Sequence, residues 1–173
     1  MRRRHSIYTT AYTAHFVTTV TLVRGNWFLI PAECGRMLQR FEDCRQRYDL
    51  ECFGYVLMPD HIHAVLRPIQ DGPVISKFMQ AFKRETSAYF RPRTYRGASL
   101  WQPCYDDVLM PGGHAVMRRV RYMHANPLRR GMVEDAEQYV WSSARDYGGL
   151  GYGIVQVVHA VTGEVLRPTV VDA

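Results

Sequence analysis

The sequence has no Cys-x-x-Cys pair, no uncharged apolar run long enough to span a bilayer, and almost no lysine. Without a stretch of ~18 apolar residues, a membrane helix is excluded. The four cysteines, Cys34, Cys44, Cys52 and Cys104, follow neither a zinc-ligand spacing nor a compact disulfide framework. They read as free thiols of a cytosolic protein. The start, Met1-Arg-Arg-Arg-His5, leads into Ser, Thr and Tyr rather than an apolar core, which argues against secretion. Internal repeats and low-complexity segments are also missing. Only Lys77 and Lys83 are lysines; the other 20 of the 22 basic residues are arginine. Arginine suits bidentate phosphate contacts, although a GC-rich coding sequence gives the same bias.

What is present is a lopsided charge. Residues 1–133 carry 20 Lys and Arg against 10 Asp and Glu, net +10, whereas 134–173 carry 2 against 6, net −4. A basic surface over three quarters of a globular chain points to a polyanionic partner. At 173 residues the chain reads as a single domain over 1–147 with a C-terminal tail, 148–173, packed on it or trailing it.

Hydrophobic periodicity orders the elements. Segment 12–23 is rich in β-branched and aromatic residues and predicts a strand ending at Arg24-Gly25-Asn26. Segment 32–48 places Met37, Leu38, Phe41 and Cys44 at helical spacing. Segments 52–58 and 61–67 predict two strands joined at a Pro59-Asp60 corner. After Asp71-Gly72-Pro73, a helix buries Ile75, Phe78, Met79 and Phe82. Arg91-Pro-Arg-Thr-Tyr-Arg-Gly97 is a basic loop, and 100–110 predicts a strand that Pro103 pushes toward an edge or bulge. The fold class is therefore α+β, a ferredoxin-like (RRM-like) β-α-β-β-α-β antiparallel sheet with both helices on one face. A further helix at 114–125 packs Val116, Val120 and Met123 inward and should end before Pro127. An amphipathic piece at 134–147 uses Tyr139, Val140 and Trp141 as apolar contacts, and 154–161 could add a short helix.

The chemistry centres on Tyr55-Val-Leu-Met-Pro-Asp-His-Ile-His-Ala-Val-Leu-Arg67. In a strand, His61 and His63 leave the sheet on the same face while Ile62, Ala64 and Leu66 enter the core behind them. In the fold above they would stand at the middle of an uncovered sheet. Arg118, Tyr122 and Asn126 form an i, i+4, i+8 polar stripe on the helix at 114–125. Two imidazoles and the Asn126 amide can hold a divalent metal with open positions. The Tyr122 hydroxyl could then attack a phosphodiester. Each residue also has an ordinary reading: a surface histidine pair, a solvated tyrosine, a helix-terminal asparagine. A binding-only module and a hydrolase in which water attacks are the rival functions.

Two blocks carry a resemblance. Tyr55-Val-Leu-Met-Pro-Asp-His-Ile-His63 and Arg121-Tyr-Met-His-Ala-Asn-Pro-Leu-Arg-Arg-Gly-Met-Val133 resemble the signature blocks of the single-tyrosine HUH transposases. Among these, the REP-associated tyrosine transposases are the most similar. Phe78-Met-Gln-Ala-Phe-Lys-Arg84, Leu100-Trp-Gln102 and Trp141-Ser-Ser143 extend the likeness over roughly residues 12–147. The resemblance implies single-stranded DNA cleavage and rejoining through a 5′-phosphotyrosine on Tyr122. It implies Mg²⁺ or Mn²⁺ on His61, His63 and Asn126, and DNA hairpins as partners. Lys77, Lys83, Arg84, Arg118 and Arg121 are the expected DNA contacts, a solvated helix face being the alternative for Lys77 and Arg84. A cytoplasmic, nucleoid-associated bacterial protein is expected, either a monomer or a helix-swapped homodimer.

Overall fold

The computed structural model describes residues 9–90, 94 and 97–166; the basic segment 1–5 and most of the basic loop 91–97 lie outside the described residues. Four antiparallel strands form the sheet: β1 (Ala14–Val20), β2 (Leu50–Met58), β3 (His61–Pro68) and β4 (Asp106–Met110). Their order is β2-β3-β1-β4, so the first and third strands are central, as the ferredoxin-like plan requires. Helices α1 (Pro31–Arg47) and α2 (Val74–Phe90) cover one face. Met37, Leu38 and Phe41 of α1 and Phe78 and Phe82 of α2 meet Val17, Leu57, Ile62, Ala64 and Leu66 of the sheet in one core. All four cysteines are free, and Cys34, Cys44 and Cys52 are buried there or beside it.

The other face is only partly open. Helix α3 (Gly113–His124) lies across it and seats Val116, Val120 and Met123 on Phe53, Val56, Met58 and Val65. A bulge prepares this seat. Cys52 pairs with Leu66 but Gly54 pairs with Val65, leaving Phe53 as an extra residue. Strand alternation therefore reverses: Leu50 and Cys52 face the α1–α2 core, and beyond the bulge Tyr55 and Leu57 do. Gly54 comes to lie under α3, where a Cβ would stand 2.7 Å from Met123 Cε and 3.2 Å from Val120 Cγ1 and Ser143 Oγ. Gly54→Ala is accordingly expected to cost about 1–3 kcal/mol through overpacking. Urea denaturation measures it, and an unchanged midpoint would mean that α3 does not depend on this close approach.

Several sequence expectations change on folding. The first strand stops at Val20, because Thr21 leaves the ladder and Leu22–Arg24 turn as a 3₁₀ element. Only Asp106–Met110 of the 100–110 segment is strand; Trp101 instead sits in the core with its indole N–H donated to Thr86 at 2.8 Å. Helix α3 ends at His124, and after Ala125 the chain enters the one-turn α4 (Asn126–Arg129) with Pro127 in its first turn. The 134–147 piece is not one amphipathic helix. It runs as a 3₁₀ turn (Ala136–Gln138), a turning segment that bridges to β2 at Ser142, and α5 (Ala144–Gly148). Its Tyr139 is buried as expected, whereas Val140 is exposed.

This turning segment covers the outer edge of β2. Leu57 N–H donates to Trp141 O and Ser143 N–H to Tyr55 O, while the Tyr139 and Tyr147 hydroxyls donate to Leu57 O and Phe53 O. Ser143 Oγ also meets His124 Nε2 at 2.7 Å, tying α3 to β2. The tail forms a small hairpin, β5 (Val157–Val158) with β6 (Val165–Leu166), where a short helix was expected. Val155 and Val157 enter one core and Val158 the other, which β-branched residues do well from an extended backbone.

Candidate active site

The tight Pro59-Asp60 connection makes His61 the first residue of β3, and pleat alternation puts His63 on the same face. There the part of the sheet that α3 leaves uncovered forms one wall of a cavity of about 820 Å³. His61, His63, Tyr122 and Asn126 all line it, so four residues spread over 66 positions of sequence share one space. Instead of standing on a bare sheet, the imidazoles sit in its wall. His61 is 6% exposed, because α3, α4 and the 21–25 turn rise around it.

Each histidine is oriented from behind. His61 Nδ1 lies 2.7 Å from Asp60 Oδ1, and His63 Nδ1 lies 2.7 Å from Oγ1 of Thr18, its register partner on β1. The rings meet edge to face with centroids 4.5 Å apart. Among the described residues neither Nε2 has a hydrogen-bond partner, and both rings line the cavity. Burial lowers the pKa of both rings. For His61 the carboxylate of Asp60 opposes the shift without reversing it. For His63, burial together with the charges of His61, Arg119 and Arg130 pushes the value down to about 3. Both imidazoles are therefore neutral near pH 7, the form that binds a cation.

Asp60 is the joint behind His61. It is buried, and its carboxylate also receives Arg24 Nη1 at 3.3 Å and Arg130 Nη1 at 3.1 Å. Burial alone would raise its pKa, but the hydrogen bond from His61 and the charges of His61 and Arg130 hold it below the usual carboxylate range. Arg24 reaches it from a turn in which Val23 and Arg24 both have positive φ, 55° and 52°. Such backbone is costly for non-glycine residues and concentrates at functional sites.

Two neutral imidazoles with lone pairs toward a cavity, each backed by a carboxylate or hydroxyl, fit a divalent cation. No three His, Cys, Asp or Glu side chains gather around a common point among the described residues. Asn126, whose side-chain amide oxygen can ligate a cation, borders the same cavity at the start of α4. Tyr122 is 46% exposed, in the last turn of α3, and its hydroxyl has no hydrogen-bond partner among the described residues.

The basic residues sort differently from the sequence reading. Arg118 and Arg121 are exposed on α3 but do not line the cavity; Arg119 does. An i, i+4, i+8 stripe drifts around a helix of 3.6 residues per turn, so the neighbour one position on faces the site instead. Lys83 donates to the carbonyls of Gln102, Pro103 and Cys104 at 2.6, 3.0 and 3.3 Å, which pins the loop beside the cavity. Its burial lowers the ammonium pKa. Lys77 and Lys83 border a groove that meets the cavity at Tyr105, while Arg84 is exposed away from it. Sequence reasoning passed over Thr18, Asp60, Arg24, Arg119, Arg129 and Arg130. The adjacency of Asp60 to His61 and the Arg129-Arg130 pair after Asn126-Pro127 were the available signals.

The family model described as "Transposase IS200 like" matches residues 8–126. The solved structure of the REP-associated tyrosine transposase bound to a REP hairpin has a similar fold. It superposes with a TM-score of 0.70 at 19% identity, covering 89% of this chain and 90% of that one. A crystal structure from Deinococcus radiodurans matches with a TM-score of 0.47 at 20% identity, over 70% of this chain and 95% of that one. Among curated proteins none matches the sequence. No helix among the described residues is long and apolar enough to cross a membrane.

Proposed function

This chain belongs to the IS200-like transposase family, and we propose that it cleaves and rejoins single-stranded DNA beside hairpins, using Tyr122 as nucleophile. One observation carries the reading: Tyr122, whose hydroxyl has no hydrogen-bond partner among the described residues, lines the same cavity as two neutral histidines whose Nε2 atoms have none among them either. The hairpin is carried over from the similar structure, which is bound to one.

His61, His63 and Asn126 would hold Mn²⁺ or Mg²⁺. When bound, the ion would supply Lewis-acid polarisation of a phosphodiester oxygen. Tyr122 Oη forms a bond to phosphorus as the bond to the 3′-oxygen breaks; the phenol loses its proton and the 3′-oxygen gains one. The phosphotyrosine conserves the bond, so a 3′-hydroxyl from another end can reverse the step and release Tyr122. Asp60 and Thr18 keep the two imidazoles in place throughout. The packing of Val120 and Met123 on the chain's own sheet supports use of Tyr122 with the histidines of the same chain over a helix-swapped homodimer. The strand would leave the cavity past Tyr105, along the groove bordered by Lys77 and Lys83, with Arg118 and Arg121 on the outer side of α3.

The test is incubation with a pool of labelled hairpin oligonucleotides and Mn²⁺, followed by a denaturing gel. A covalent protein–DNA band is expected, from binding that weakens steeply between ~50 and ~200 mM salt through counterion release. Metal-dependent cleavage without that band would replace the tyrosine by water, and binding without cleavage would leave only a DNA-binding module.

A further inference from the structure

Four guanidinium groups surround the cavity, and they are used in two ways. Arg24 and Arg130 are bound to Asp60 and so act behind His61. Arg119 and Arg129 have no acidic partner among the described residues. Both lie on aromatic rings instead. Arg129 Cζ is 4.7 Å and Arg119 Cζ 5.5 Å from the ring centre of Tyr122.

Arg129 has a second contact with the same residue, its Nη1 donating to the Tyr122 carbonyl at 3.3 Å. That carbonyl lies in the last turn of α3, where backbone acceptors run out of intrahelical donors. A cation reaching back from beyond the break satisfies it and complements the helix dipole. Arg119 extends the contacts: its guanidinium also stands 4.5 Å from the ring centre of Phe16, which stacks on His63 at 5.1 Å. The result is an unbroken ladder, Arg129–Tyr122–Arg119–Phe16–His63, between the two halves of the site.

We propose that this ladder positions the nucleophile, with Arg129 as its end clamp, so that the phenol is aimed by contacts on its ring while its hydroxyl stays free for phosphorus. The inference rests on the reading of Tyr122 as nucleophile. Arg129 is a positioning residue: it acts through the Tyr122 backbone and ring. Its loss should leave the strand bound but the hydroxyl badly aimed, and small misplacements of a reacting group cost about 10- to 100-fold in rate.

The experiment uses the full chain labelled with 3-fluorotyrosine, the Tyr122 resonance being identified by its disappearance in Tyr122→Phe. In Arg129→Gln the Tyr122 fluorine line should move toward the position of a solvated tyrosine while the other lines stay. Single-turnover adduct formation at saturating hairpin DNA should fall by about 10- to 100-fold, with Kd changed by less than about threefold, since Arg129 is engaged with Tyr122 and the other exposed cations supply the electrostatic affinity. Arg129→Lys, which keeps the charge but not the planar face, should recover only part of the rate. An unmoved Tyr122 line with an unchanged saturating rate and weakened binding would overturn the proposal and make Arg129 a phosphate contact. If the wild-type chain forms no adduct, the nucleophile reading fails, yet the fluorine line still decides whether Arg129 holds the ring.

Discussion

Tyr122→Phe is expected to abolish covalent adduct formation, by on the order of 10³-fold or more, while leaving the fold as stable as before. The substitution removes one oxygen, and that oxygen has no hydrogen-bond partner among the described residues. The ring is 46% exposed, and its contacts with Arg119 and Arg129 involve the π face, which phenylalanine retains. Stability should therefore move by no more than about 0.5 kcal/mol. The chemistry has no such tolerance, because phenylalanine offers no atom that can bond to phosphorus. Tyr139 and Tyr147 provide the contrast. Their hydroxyls donate to Leu57 O and Phe53 O, so their phenylalanine variants should lose stability by about 0.5–1.5 kcal/mol each and keep forming the adduct. An adduct that survives in Tyr122→Phe, seen on a denaturing gel, would move the nucleophile elsewhere.

Changing His61 and His63 together to alanine should have the second large effect: loss of cleavage with DNA binding retained. Binding persists because exposed arginines outside the pair supply most of the non-specific affinity. Cleavage goes because both unpartnered Nε2 atoms go. The structure adds a cost that an exposed histidine pair would not carry. His61 is buried against Asp60, so its removal leaves that carboxylate with only Arg24 and Arg130. A destabilisation of about 1.5–3 kcal/mol should follow from the lost hydrogen bond to a charged group, read as a lower urea midpoint by circular dichroism. Cleavage of single-stranded DNA by a folded double variant at the wild-type rate would remove the histidines from the site.

Much of this was legible in one dimension. A strand has a period of two, so His61 and His63 had to share a face whatever the rest of the chain did. Helical spacing in the same way set Val116, Val120 and Met123 inward and left Tyr122 off the buried stripe. The β-α-β-β-α-β order and its central strands followed from counting elements, since the connections allow few arrangements.

The covering of the second sheet face was not legible, because it depends on the Phe53–Gly54 bulge. One extra residue reverses which side chains point where, and the lone Gly54 that can mark a bulge does not by itself fix the register. The partners of the site residues were hidden for a related reason. Thr18 reaches His63 across a register, Arg130 reaches Asp60 from 70 positions away, and Arg119 replaces Arg118 through the rotation of one helix seated by that bulge. Sequence by itself determined which face of its own element each candidate residue occupies, because that follows from backbone periodicity. Only the tertiary structure decided that Tyr122, Asn126 and the two histidines border one cavity, and that four arginines divide between Asp60 and the Tyr122 ring. Those arrangements depend on how elements distant in sequence dock, and docking is set by side-chain packing across the whole fold.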